Sequence, residues 1–112
     1  MRELVKSRRF EAQLGRAFAR GLTLEDWEHL GYLLMKEDIL PPEYDEHMLH
    51  GPWKGHWECH LGGDLLVAYR RTTKAIIFKA IGSHKELFKD PPRSYAKFQK
   101  QRPRGWWRRL DT

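Results

Sequence analysis

Four residues in the second half of the chain carry side chains suited to moving protons at a phosphate: His47, His60, Asp64 and His84. Cleaving a phosphodiester by a neighbouring hydroxyl needs a base, an acid for the leaving oxygen, and donors to the developing charge. Histidine suits both proton roles because its unperturbed pKa lies near neutrality. Asp64 suits the work of a base or of a group that orients a histidine. The competing account is that six histidines in 112 residues fall near turns whatever the protein does. On composition alone that second account is the better one. Zinc is the other chemistry these residue types suggest, through His47, His50, His56, Cys59 and His60. Strand spacing argues against it, because His56 and His60 share one face while Cys59 points to the other. No second cysteine pair completes a structural-zinc spacing. Cys59 as a nucleophile is outweighed by its place within a strand, where a lone cysteine packs as a small hydrophobe.

The elements that must position these groups are short and well punctuated. Leu65–Tyr69 and Ala75–Ile81 are apolar runs rich in Val, Ile, Tyr and Phe, joined by Arg70-Arg71-Thr72-Thr73-Lys74, which suits two buried strands and a polar turn. His56–Leu61 alternates as a third strand, linked to the next by a tight Gly62-Gly63-Asp64 turn. The spans expected are 56–61, 65–70 and 74–81. Upstream, Glu3-Leu4-Val5 reads as an edge strand. Ser7 can cap a helix through about Arg20, with Phe10, Leu14, Ala17 and Phe18 on one face and Gly21 ending it. Thr23 caps a second helix with Glu25 and Asp26 in its first turn, and Pro41-Pro42 ends it. Residues 43–55 are irregular, with Gly51, Pro52 and Gly55 marking a turn. The expectation is an α+β domain, a two-helix hairpin packed on a small sheet, with a short helical cap near Lys85–Lys89.

At this length one domain can bury a real core without metal or disulfide. One cysteine excludes an internal disulfide and fits a reducing cytoplasm. No stretch approaches the roughly 18 apolar residues of a membrane span, and the first residues lack the apolar core of a secretory signal. A cytoplasmic location is therefore expected. The net charge of +6 is unevenly spread. Residues 1–88 hold thirteen basic and thirteen acidic side chains, whereas residues 89–112 hold eight against two. Asp90-Pro91-Pro92 marks the boundary, so the division expected is a body over 1–89 and a basic extension over 90–112. Ser94–Gln101 could form a short helix there. The interleaving of Arg and Lys with Tyr95, Phe98, Trp106 and Trp107 suits phosphate contacts with base stacking, or a segment that orders on a protein partner.

Taken in order, Glu46-His47, Leu49-His50-Gly51-Pro52-Trp53-Lys54-Gly55, Cys59-His60, Asp64 and Gly82-Ser83-His84 with Leu87-Phe88 resemble the signature of the YafQ branch of the RelE-type toxins. These are the toxin halves of bacterial type II toxin–antitoxin modules. The resemblance covers residues 1 to about 89 and implies a RelE-like compact fold with a mainly antiparallel sheet. It implies a ribosome-dependent endoribonuclease that cuts mRNA by attack of the 2′-hydroxyl on the adjacent phosphate, with no metal or cofactor. A cognate antitoxin, in a toxin–antitoxin hetero-oligomer, and the ribosome with its mRNA are the partners implied. His47, His60, Asp64 and His84 would then be the proton-transfer and positioning groups. Phe88 would stack at or support the site, and Lys54, Arg70 and Arg71 are candidate substrate contacts.

Two positions depart from the family pattern. An arginine usually stands two residues before the Gly-Ser/Thr-His, where this chain has Ala80, and loss of such a donor can cost on the order of 10²–10³ in rate. Lys79, Arg70 or Arg71 could substitute for it, although strand alternation places Lys79 on the face opposite Ala80. Alternatively, the enzyme is weak, or the alanine was introduced to tame a toxic protein. Leu65 stands where relatives often carry Trp. Two rival functions follow from the same scaffold. One is a gyrase-poisoning toxin, which His47, His60 and His84 argue against. The other is a non-catalytic RNA- or ribosome-binding module, which Ala80 favours.

Overall fold

The computed structural model describes residues 1–36 and 39–89. The extension 90–112, and with it the Ser94–Gln101 helix expected there, lies outside the described residues. The elements follow as β1 (Glu3–Lys6), α1 (Arg8–Ala19), α2 (Leu24–Lys36), β2 (His47–Met48), β3 (Trp57–His60), β4 (Leu66–Arg71), β5 (Ala75–Gly82) and α3 (His84–Lys89). Short 3-10 turns at Pro42–Tyr44 and Gly51–Trp53 flank β2. The three main strands fall within a residue or two of the spans expected from alternation. β2 is an addition to them, a two-residue strand in a stretch that reads as irregular.

Capping explains where the helices start. The Ser7 hydroxyl accepts from the Phe10 amide at 3.1 Å and Thr23 accepts from the Asp26 amide at 3.1 Å. α1 closes at Gly21, whose φ of +120° lets the chain turn at once into α2.

The sheet runs β1-β5-β4-β3-β2, with β1 parallel to β5 and every other neighbour antiparallel. Its two faces differ in kind. The helices cover one face with Phe10, Leu14, Trp27, Leu30 and Leu34 against Cys59, Val67, Tyr69, Ile76 and Phe78. Phe78 is the hub, with ring centres 5.0 Å from Phe10 and 5.1 Å from Trp27. Truncating such a fully buried ring costs about 3–5 kcal/mol. On the other face a second cluster of Leu49, Trp53, Leu66, Ala68, Ala80 and Leu87 sits under the Gly51–Trp53 turn and α3.

A β-bulge sets how the two faces are populated. Ala68 pairs with Ala80 and Tyr69 with Phe78, so Lys79 is the extra residue. Phe78 and Ile81 both belong to the helix-side cluster, although three residues apart, while Ala80 belongs to the other. The step is absorbed at Lys79, which stands beside Ala80 on the face away from the helices. Simple alternation puts it on the opposite face. The bulge corrects that expectation.

Candidate active site

The face away from the helices gathers the titratable residues in a row. Ladder pairing places His47 opposite Glu58, and two-residue alternation along β3 brings His60 to the same face. The Gly62-Gly63 turn, with φ of +105° and +53°, delivers Asp64 to the end of that face, next to the first residue of α3, His84. Ring centres lie 6.2 Å apart from His47 to His60 and again from His60 to His84. Phe88, one turn along α3, holds its ring 5.5 Å from His84. The structure thus brings together all four residues singled out as proton-transfer candidates, with Phe88 beside them.

The inner end of the row is built on a buried carboxylate. The Nδ1 of His47 lies 2.6 Å from the Asp45 carbonyl oxygen, and its Nε2 lies 3.0 Å from Glu58 Oε1. A carbonyl oxygen only accepts, so Nδ1 carries a hydrogen. The Nε2–Oε1 contact then holds one further proton between ring and carboxyl. Glu58 is fully buried and His47 nearly so. Glu58 Oε1 also stands 3.7 Å from His60 Nε2, and Asp45 Oδ2 stands 3.6 Å from the same nitrogen. One carboxylate therefore meets one histidine and faces the next.

The outer end is held by backbone geometry. Ser83 and Glu86 form a reciprocal cap on α3: the Ser83 amide donates to Glu86 Oε1 at 2.9 Å, and the Glu86 amide donates to Ser83 Oγ at 3.2 Å. These bonds, the Ser83 amide first and then the Arg20 guanidinium, hold the Glu86 carboxyl below its usual range. His84 is thereby presented at the helix start, with its Nδ1 and its amide both 3.4 Å from Asp64 Oδ1. Almost half of the His84 side chain is open to solvent.

The expected substrate contacts separate. Lys54 is exposed at the end of the Gly51–Trp53 turn, and Arg70 is exposed on the same face as the histidines. Arg71 lies on the helix-covered face, with Nη1 3.0 Å from Glu46 and its guanidinium 4.9 Å over the Trp57 ring. Lys79, carried over by the bulge, joins Arg70 near His56. Burial first, and then these two positive charges, push the His56 imidazole below its ordinary pKa. His56 itself is buried edge-on to Trp53, with Nδ1 3.2 Å from the Trp53 carbonyl. Cys59 sits in the opposite core, where burial pushes its thiol well up. Ala80 is buried beside Ala68 in the second cluster.

Glu58 and Asp45 are the site residues that the sequence reading passed over. A signal for Glu58 was there: a glutamate two residues from His60 in a buried strand needs a partner on its own face. Asp45 was legible only as loop, since it acts through a left-handed backbone (φ +47°) that turns its carbonyl to His47.

Among the described residues, no group of three His, Cys, Asp or Glu side chains is arranged to hold a metal ion, and no helix is long and apolar enough to cross a membrane. Residues 2–89 match the family described as bacterial toxin of type II toxin–antitoxin system, YafQ. The mRNA interferase toxin YafQ of Escherichia coli strain K12 is 30% identical over 88 residues, which are 78% of this chain and 96% of that protein. The fold superposes on YafQ in a crystal structure of the E. coli DinJ–YafQ complex with a TM-score of 0.70 at 29% identity, over 79% of this chain and 99% of that one. A metal-bound toxin from Helicobacter pylori superposes with a TM-score of 0.68 at 32% identity, covering 79% of this chain and all of the other.

Proposed function

Because the chain belongs to the YafQ family of bacterial type II toxins, we propose that it is an mRNA interferase that cuts mRNA on the ribosome and is silenced by a cognate antitoxin. The observation that carries this reading is the row of three imidazoles at 6.2 Å spacing, flanked by carboxylates at both ends. His60 and His84 are neighbouring bases or acids on one open face, close enough to bracket a single phosphate. One ring takes the proton of the 2′-hydroxyl as its oxygen attacks phosphorus. The other gives a proton to the departing 5′-oxygen, leaving a 2′,3′-cyclic phosphate and a 5′-hydroxyl. Asp64 orients His84, and His47 with Glu58 sets the charge facing His60. No step requires a metal or cofactor. Phe88 offers a stacking surface beside His84, while Lys54, Arg70 and Lys79 supply the positive charge for the RNA backbone that Ala80 does not. Arg71, engaged with Glu46, has a structural role in this reading.

The antitoxin would pair with this chain in a hetero-oligomer, as DinJ does with YafQ. The extension 90–112 lies beyond the matched residues and would add ribosomal RNA contacts or antitoxin contacts, as a segment distinct from the 1–89 body. The work takes place in the bacterial cytoplasm. Burial of Ala80 is the observation that favours the rival, a binding module without catalysis.

The deciding experiment is mRNA cleavage in a purified translation system, with and without ribosomes and with and without chelator. The chain is compared with His84→Ala and the cut ends are mapped. Ribosome-dependent cuts with cyclic or 3′-phosphate ends, indifferent to chelator and lost in the variant, support the full reading. Ribosome binding without cleavage by either protein moves the weight to the binding module.

A further inference from the structure

A cavity of about 340 Å³ lies where the β3–β4 turn and the start of α3 meet the α1–α2 connection. Leu22, Leu61 and Leu65 give it aliphatic surface, and Arg20, Asp26 and Asp64 give it polar groups. Asp64 belongs to two places at once. It lines this cavity, and its Oδ1 stands 3.4 Å from His84 Nδ1. A ligand whose phosphate is held at His84 therefore has the cavity within reach of whatever is attached next to that phosphate. In RNA the ribose joined to that phosphate carries a base.

We propose that this cavity is a nucleobase pocket that reads a nucleotide beside the cleaved phosphate. This inference rests on the nuclease reading above and deepens it. The volume falls at the small end of ligand sites, suited to one base and not to two. Aliphatic side chains supply surface for the flat faces of a base. Edge chemistry sets the preference. Ionised carboxylates only accept hydrogen bonds, so a base offering an amino group fits the cavity better than one offering carbonyls. Adenine, cytosine and guanine carry an exocyclic amino group and uracil does not. Glu86 also lines the cavity but is already engaged by the Ser83 amide and by Arg20 Nη1 at 3.1 Å, so it acts as wall. Asp26 is the exposed carboxylate left to read the base, with Asp64 contributing from the side of the catalytic row. Arg20 also lines the cavity, and its guanidinium adds donors for an unprotonated ring nitrogen, which uracil lacks.

The test uses the full chain, Asp26→Asn and Leu22→Trp, with cut ends mapped on RNA randomised around the cleavage point. The parent should disfavour uracil at one flanking position by fivefold or more. Asp26→Asn, whose amide both donates and accepts, should cut that discrimination at least threefold. Leu22→Trp, which fills the cavity, should abolish it. Identical flanking profiles for all three proteins overturn the proposal. A second measurement is independent of cleavage. The four nucleoside 3′-monophosphates are titrated into the full chain while the methyl resonances of Leu22, Leu61 and Leu65 are followed. Shifts with the adenine, cytosine and guanine nucleotides but not the uracil one, weakened in Asp26→Asn, support the pocket even if the chain cuts no RNA. Cleavage with unresponsive methyls and a flat profile leaves the nuclease standing and removes the pocket.

Discussion

At the inner end of the histidine row, His47 is 7% exposed and meets a fully buried carboxylate at 3.0 Å. At the outer end, His84 keeps 43% of its side chain in solvent and meets Asp64, itself 68% exposed, at 3.4 Å. The same pair of residue types is thus built in two ways. The inner pair is fixed by burial: neither group can leave without stranding a polar partner. The outer pair is fixed by backbone, because a capped helix start and a two-glycine turn aim the side chains while water reaches both. The proposed active site combines one of each. Buried pairs hold a proton in place, and exposed pairs can exchange it with a substrate.

That division can be broken from either side. Substituting the outer histidine should have the largest effect on chemistry: His84→Ala is expected to lower cleavage by about 10²–10⁴, with the urea midpoint moving little. A large loss of stability would show that the outer end is structural as well. Glu58→Ala should do the opposite, costing about 3–5 kcal/mol by leaving His47 buried without its carboxylate. Urea denaturation measures it, and a cost below 1 kcal/mol would mean that the inner pair is not a buried ion pair in solution. Next in size is Ala80→Arg. Position 80 lies one strand beyond Ala68 from Glu58, and a guanidinium there should raise cleavage about tenfold or more by meeting phosphate charge. Unchanged single-turnover rates would place the phosphate's positive partner at Lys79 and Arg70 instead.

The smallest effect concerns pH. His56 has its folded pKa held below the unfolded value, mainly by burial. The folded state therefore binds fewer protons than the unfolded one in acid, and stability is lost as pH falls from about 6.5 toward that lower folded pKa. Thermal melts from pH 7.5 to 5 should show the decline, and His56→Gln should flatten it. An unaltered slope would show that His56 is not the source of the acid sensitivity.

Much of this was legible because local chemistry and tertiary structure agree. Ser7 and Thr23 cap the helices they announce, and the Val-, Ile- and Phe-rich runs are the strands. The histidine and aspartate positions implied by the family resemblance converge in space. What escaped reading depends on register. β2 is two residues long, and its two pairing partners in β3 cannot be seen in its own composition. The bulge at Lys79 is a property of two strands together, so no period in β5 alone reveals which face that lysine takes. Glu58 left a signal in its own strand, but its partner did not. Its importance comes from having no exposure and from facing His47, and both are facts about its neighbours.

The sheet order has a consequence for how the protein comes into being on the ribosome. β1 finds its partner only in β5, more than seventy residues later, and β5 also forms the bridge to the rest of the sheet. A nascent chain that stops before Ala75 has a helical hairpin with no complete floor and an N-terminal strand with nothing to join. The step that closes the sheet is also the step just before Ser83 caps α3 and His84 is set in place. Vectorial synthesis therefore completes the histidine face last, so an incomplete chain carries the histidines without the means to align them.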